Sequence, residues 1–164
     1  MTTTPAARNF RRFFSAARFH ALRLLPGEDP VLSLRRLSAE TGLRAGFIAG
    51  AVGSLSRAVL RFAGCPDGTV RDGRFEIVSL IGTLDAAGEH LHMAVSDPEG
   101  RVEGGHVLEG CVVRTTLELV VGELTDVTFR REPCPLSGYE ELVVERTETC
   151  PFESEIQVEG KIQI

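Results

Sequence analysis

The second half of the chain is a succession of short runs in which apolar and polar residues alternate. Six such runs occur, at residues 74–84, 90–97, 101–108, 111–124, 126–131 and 139–146. Alternation with a period of two is typical of strands that bury one face. The connections between the runs are too short for parallel crossovers, which need a dozen or more residues. The sequence therefore predicts an antiparallel meander.

One helix is predicted ahead of these strands, over residues 30–41. Asp29 supplies an N-cap, Pro30 suits the first helical position, and Gly42 favours a stop. Between them, apolar residues recur at helical spacing. A helix packed against an antiparallel sheet belongs to the α+β class.

The rest of the first half is predicted to be strands and loops. A strand begins at Phe19, and the glycine-rich residues 45–64 are interpreted as two strands around Gly53–Ser56. Residues 65–73 contain two Asp-Gly pairs and are interpreted as a loop. The expected architecture is a sandwich-like antiparallel sheet of about seven strands with one main helix packed on it.

Three of the four histidines lie in one segment, whose sequence is HLHMAVSDPEGRVEGGH. His90 and His92 are two apart on a strand, so their side chains point to the same face. Residues 97–100, Asp-Pro-Glu-Gly, are typical of a type I turn closed by a left-handed glycine. If the loop is Pro98–Gly100, His92 faces His106 directly across the strand pair. His90 is then the diagonal neighbour of His106, and its side chain can reach the other two.

Three neutral imidazoles can bind a divalent transition metal and leave positions open for water or a small ligand. Zinc is the first choice, with iron and nickel as alternatives. Such an ion could polarise a carbonyl or lower the pKa of a bound water, but the sequence names no reaction, so enzymatic activity stays an open question. Candidate carboxylates to orient the imidazoles are Glu76, Asp97 and Glu103.

Two alternatives to the metal site stay open. A bulge at Gly104-Gly105 would slip the pairing by one residue and turn His106 to the opposite face. The histidines could also be surface or interface residues that bind nothing.

Charge is distributed unevenly along the chain, whose net charge is −5. Residues 1–62 carry ten arginines and three acids, a net +7, and residues 63–164 carry eight basic and twenty acidic residues, a net −12. Candidate DNA contacts in the basic part are Arg8, Arg11, Arg12 and Arg18. We favour pairing of this part with the acidic remainder, within the fold or across a subunit interface. Nucleic acid is therefore not an expected partner.

Three regions are predicted: a flexible N-terminal extension over residues 1–16, one domain over 17–146, and a C-terminal extension over 147–164. The last region contains an isoleucine- and valine-rich alternation around Glu159-Gly160 that suggests an added hairpin. No run approaches the roughly 18 apolar residues of a membrane span, and no uninterrupted apolar signal region follows the basic N-terminus. We expect a soluble cytoplasmic protein.

Several sequence blocks resemble one family. Residues 73–80, GRFEIVSL, resemble the G-R-F-E-I-L-S-L signature of the PPC (plants and prokaryotes conserved) domain family. The blocks RLLPGEDPVLSLRRL, AGFIAGAVGSL and the histidine segment are similar to prokaryotic members, in the same order, and the resemblance covers residues 17–146. It implies a sandwich-like subunit with an antiparallel sheet, assembly as a homotrimer, and metal binding at the H-x-H…G-G-H pattern.

Plant members of this family place the domain behind AT-hooks, which insert into the minor groove of AT-rich DNA. The present chain contains no R-G-R-P core, so DNA binding does not carry over from the resemblance. Three functions stay open: a trimer that binds a metal ion or small ligand at the histidines, a DNA-associated regulatory protein that uses the basic N-terminal segment, and a purely structural trimerisation module.

Overall fold

A computed structural model describes residues 12–147 of the chain as eight strands and one helix. The elements are β1 (Ala17–Leu24), α1 (Pro30–Thr41), β2 (Gly46–Arg61), β3 (Thr69–Asp85), β4 (Gly88–Ser96), β5 (Val102–Val107), β6 (Val112–Leu124), β7 (Val127–Pro133) and β8 (Glu140–Arg146). The α+β class and the antiparallel sheet are confirmed.

Six strands form one antiparallel sheet in the order β1-β6-β2-β3-β4-β5. β5 also pairs back onto the end of β2, with Leu60 opposite Val107 and Arg61 opposite His106. This closure turns β2, β3, β4 and β5 into a ring. β7 and β8 pair with each other in a separate two-stranded sheet.

The helix has the predicted bounds and caps. The Asp29 carboxylate accepts hydrogen bonds from the backbone amides of Val31 and Leu32, and Gly42 ends the helix in the left-handed conformation, with φ of 67°. Its buried face includes Leu34 and contributes to a core of aliphatic side chains from the large sheet. Sequence and structure agree here because both caps and the apolar spacing are local signals.

Residues 45–64 form one long strand, so the prediction of two strands was wrong. β2 is continuous, and its pairing with β6 shifts register after Ile48, Gly53 and Leu55. At Gly53 an added Cβ would overlap the backbone of Thr116 on β6. The glycines therefore allow bulges and a close approach between strands, which bend β2 without ending it.

The prediction of a loop over residues 65–73 was also wrong in its second half. β3 begins at Thr69, and Asp72 lies opposite Arg57 on β2 with 2.7 Å between its carboxylate and the guanidinium Nε. The Asp72-Gly73 pair, a turn signal in isolation, lies inside the ladder because β2 supplies pairing partners over this length.

A smaller apolar cluster joins β7 to the large sheet. Val127 and Phe129 pack with Ala45, and the backbone amide of Phe129 donates a hydrogen bond to the carbonyl of Arg44. The predicted N-terminal extension and C-terminal hairpin lie outside the described residues, apart from 12–16 and Thr147. No helix within residues 12–147 combines the length and apolar character needed to cross a membrane.

The helix cap gives a test of the fold. Asp29 also accepts a 2.6 Å hydrogen bond from the backbone amide of Gly110, so one carboxylate joins the helix start to the β5–β6 connection. We expect Asp29→Ala to lower the free energy of unfolding by about 1–2 kcal/mol, measured by urea denaturation. Asp67→Ala, at an exposed loop position, should change it by less than about 0.5 kcal/mol. Equal losses in the two variants would contradict the capping role.

Candidate metal centre

The hairpin of β4 and β5 brings three histidines together. His92 lies opposite His106 and Ser96 opposite Val102, with no register shift between the strands. The loop closes as predicted: the Asp97 amide donates to the Arg101 carbonyl, and Gly100 has φ of 79°. The predicted register is confirmed, and the slip at the glycine pair does not occur.

The imidazoles of His90, His92 and His106 form a compact triangle. Their ring centroids are 5.2 Å apart for His90 and His92, 5.2 Å for His90 and His106, and 5.6 Å for His92 and His106. One nitrogen from each ring lies within 4.8 Å of the others. No nitrogen of the three rings makes a hydrogen bond with any residue in 12–147, so their lone pairs are available to a metal ion.

The surroundings favour the neutral form of two of these imidazoles, which is the form that coordinates metals. Loss of hydration lowers the pKa of His90, and the nearby positive charge of Arg131 lowers it further. Loss of hydration also lowers the pKa of His106, with Arg61 as the next contribution. Neutral imidazole with a free nitrogen is a good ligand for zinc, iron or nickel, so the donor set fits a transition metal.

Three glycines allow the strands that carry this site to approach closely. At Gly82 on β3, φ is +144°, and an added Cβ would overlap the carbonyl oxygen of His90. At Gly105 an added Cβ would lie 2.7 Å from the carbonyl oxygen of Arg61, and at Gly104 it would lie 2.8 Å from that of Met93. The absence of side chains at Gly82 and Gly105 therefore sets how close β3 and β2 come to the histidine hairpin, and Gly104 allows the close approach of β4 and β5 within it.

The histidines lie in a cleft of about 1050 Å³. One side is formed by the last residue of β2 and the loop that follows it, residues 61–66, and the other by the β7–β8 hairpin, which contributes Arg131 and residues 139–141. Glu89 also lines the cleft, but Arg35 pairs with it through two hydrogen bonds of 2.9 and 2.8 Å. The cleft is therefore open to solvent and lined by both charged and apolar side chains.

None of the three carboxylates that the sequence suggested lines this cleft. Asp97 lies at the hairpin turn and accepts hydrogen bonds from Arg101, and Glu103 accepts from Arg71. Glu76 lies opposite Ser96, seven residues along β3 from Thr83, which faces His90. The acids beside the histidines are Glu89 and Glu141 instead. The sequence could have suggested Glu89, which is adjacent to His90. It could not have suggested Glu141, because only the position of β8 in the fold brings that residue near the histidines.

The basic N-terminal residues are partly engaged within the fold. Arg18 donates a 2.6 Å hydrogen bond to the buried carboxylate of Glu123 on β6. Arg12 lies 5.6 Å from the ring centroid of Phe14. Arg8 and Arg11 lie outside the described residues. The pairing of Arg18 with Glu123 agrees with the interpretation that the positive part of the chain compensates the acidic remainder.

A sequence model of the Plants and Prokaryotes Conserved (PCC) domain matches residues 11–125. Among curated proteins, a bifunctional GlmU protein of Synechococcus is 44% identical over 129 residues, covering 79% of this chain and 21% of its own length. AT-hook motif nuclear-localized protein 10 of Arabidopsis thaliana is 35% identical over 112 residues, covering 63% and 32%. The chain thus spans a fifth to a third of these relatives.

Solved structures have the same fold. A hypothetical protein from Salmonella enterica is 52% identical, with a TM-score of 0.81, over 83% of this chain and 99% of its own. A metal-containing protein from Archaeoglobus fulgidus is 22% identical, with a TM-score of 0.69, over 82% and 99%. The second likeness shows the fold alone.

Gly82 gives a test of the site's architecture. We expect Gly82→Ala to lower the free energy of unfolding by more than about 2 kcal/mol, because the added Cβ would overlap the His90 carbonyl and the positive φ would be strained. Gly50→Ala on β2 is the control, since its Cβ would enter open space. Urea denaturation compares the two. A Gly82→Ala protein as stable as the control would contradict the close approach.

Proposed function

This chain belongs to the Plants and Prokaryotes Conserved (PCC) domain family, and we propose that it is a homotrimeric member that binds a divalent metal ion at His90, His92 and His106. Zinc is the first candidate, with iron and nickel as alternatives. The proposed site would leave coordination positions open toward the cleft for a small ligand.

One observation carries the metal proposal: three imidazole nitrogens, one from each of His90, His92 and His106, lie within 4.8 Å of one another. His90 and His92 are exposed and His106 is half-buried, so water can satisfy their nitrogens; the convergence of three imidazoles on one point is what distinguishes this group from scattered surface histidines. The metal-containing Archaeoglobus protein supports the view that this fold can hold an ion. A bound ion would supply Lewis acidity, and the histidines would hold it within the cleft.

The sheet offers support for self-association. Three apolar side chains on β2 and β3 are each about 60% exposed: Val52 at 61%, Val78 at 58% and Ile81 at 60%. Exposed apolar groups on neighbouring strands are typical of surfaces that another subunit covers. Together with the resemblance to trimeric family members, this surface supports the homotrimer.

A DNA-associated role is the second candidate, because AT-hook proteins of Arabidopsis are relatives over 63–74% of this chain. The net charge of −5 and the engagement of Arg18 by Glu123 disfavour it. A DNA-binding protein would show affinity for duplex DNA that falls steeply with salt, since phosphate contacts release counterions.

Metal content tests the proposal directly. Untagged protein incubated with zinc and then desalted should retain about one equivalent per chain by mass spectrometry, because three imidazoles supply most of a tetrahedral site. His92→Ala should lose the metal, and a chelator should lower the melting temperature of the wild type but not of the variant.

The matched control is His20→Gln on β1, which should retain the metal because His20 lies outside the cluster. Circular dichroism verifies that each variant is folded. Wild-type protein that stays free of metal after incubation with zinc, iron(II) or nickel, while still trimeric, would replace the metal proposal with a structural assembly module.

Oligomeric state is tested by light scattering after size exclusion. We expect the mass of three 17.8 kDa chains for the wild type. Val52→Asp together with Val78→Asp should shift the mass toward one chain, because buried unpaired carboxylates are costly. Leu136→Asp, on the β7–β8 connection, should leave the trimer intact. A wild-type monomer would contradict the trimer.

A further inference from the structure

We propose that the cleft binds a small molecule through a carboxylate group, which Arg131 and Arg61 recognise while another oxygen of the same molecule faces the histidines. The inference deepens the proposed function and rests on the metal site for that second contact. It names the chemical class of the ligand, which the histidines alone do not.

Arg131 is held rigidly beside the histidines. Its Nε donates to the Asp85 carboxylate at 3.1 Å, and its Nη2 donates to the Thr83 hydroxyl at 2.9 Å. Its side chain is 15% exposed, and that of Asp85 is 2% exposed. Thr83 lies directly opposite His90 in the β3–β4 ladder. The guanidinium is therefore fixed at the level of the metal site.

Some N–H donors of the Arg131 guanidinium make no hydrogen bond within the described residues. Arginine carries five N–H donors, and within residues 12–147 only the Nε and Nη2 atoms of Arg131 make hydrogen bonds. Its neighbours on the accessible side are the cleft and His90. The remaining donors belong to a side chain that lines the cleft. A planar guanidinium that is fixed in place matches a carboxylate well.

Arg61 provides a second positive charge on the other side of the cluster. It lies opposite His106 in the β2–β5 pairing and lines the cleft. It is exposed, and no hydrogen bond joins its side chain to the rest of the described chain. An arginine without a protein partner next to a metal site is available to bind a ligand anion.

The acids of the cleft limit the charge of the ligand. Asp85 and Glu89 are already paired with arginines, but Glu140 and Glu141 are exposed at the rim. The two rim carboxylates would repel polyanions such as nucleic acids. A compact ligand with a single carboxylate therefore matches the charges of the cleft best. The cleft volume of about 1050 Å³ is sufficient for a small molecule.

Arg131 also lies outside the residues matched by the family model, which end at 125. The histidines and Arg61 lie inside that range. The β7–β8 hairpin thus contributes a cleft residue from outside the segment that the family model matches.

The first experiment compares acids with their uncharged amides on zinc-loaded protein. The pairs are acetate and acetamide, lactate and lactamide, succinate and succinamide, and benzoate and benzamide, with inorganic phosphate as a further oxyanion. We expect at least one acid to raise the melting temperature more than its amide does. If no acid exceeds its amide, the inference is overturned. Tighter binding of phosphate than of every carboxylate would also overturn it.

The second experiment locates the interaction by titration calorimetry with the best acid. Arg61→Gln and Arg131→Lys should each weaken binding about tenfold or more, because each loses charge-assisted hydrogen bonds. Arg74→Gln, an exposed arginine on β3 outside the cleft, is the matched control. Arg61→Gln breaks no hydrogen bond within the described residues, so it tests the inference even if Arg131→Lys folds poorly.

Zinc content separates this inference from the metal proposal. Both arginine variants should retain about one equivalent of zinc, whereas His92→Ala should not. Zinc binding without any preference for acids would overturn the carboxylate inference alone. The protein could instead bind no metal but still prefer acids to amides, with a preference that is lost in Arg61→Gln. That result would overturn only the metal proposal.

Discussion

The structure depends on the ability of β2 to pair with three other strands. β2 hydrogen-bonds to β3, β6 and, at its end, β5. Such pairing requires a strand that bends, and the bulges along β2 provide the bend. The same closure places Arg61 opposite His106. The core, the curvature of the sheet and one wall of the cleft therefore follow from the backbone of a single small-residue strand.

The elements that the sequence predicted well are those with local signals. The helix start at Asp29 and its stop at Gly42 depend on caps, and the hairpin register depends on the turn at residues 97–100. The convergence of His90, His92 and His106 follows from that register alone. The centre of the candidate site could thus be predicted from seventeen consecutive residues.

The features that the sequence did not reveal depend on contacts between distant segments. A glycine-rich stretch can be two strands or one bulged strand, and only the pairing with β6 and β3 decides. The walls of the cleft have the same origin: Arg61 reaches His106 through ring closure, and Arg131 reaches Asp85 from 46 residues away. No periodicity or motif in the sequence predicts that Arg61 lies beside His106 or that Arg131 pairs with Asp85.

The separate pairing of β7 with β8 has a consequence for how such a protein can change. Because these strands share no ladder with the large sheet, insertions and substitutions in their connection leave its hydrogen bonding untouched. The imidazoles come from one part of the chain and much of the facing wall from another. Under the proposed function, the imidazoles would set the chemistry and the facing wall the choice of ligand, so these two properties can diverge independently among related proteins.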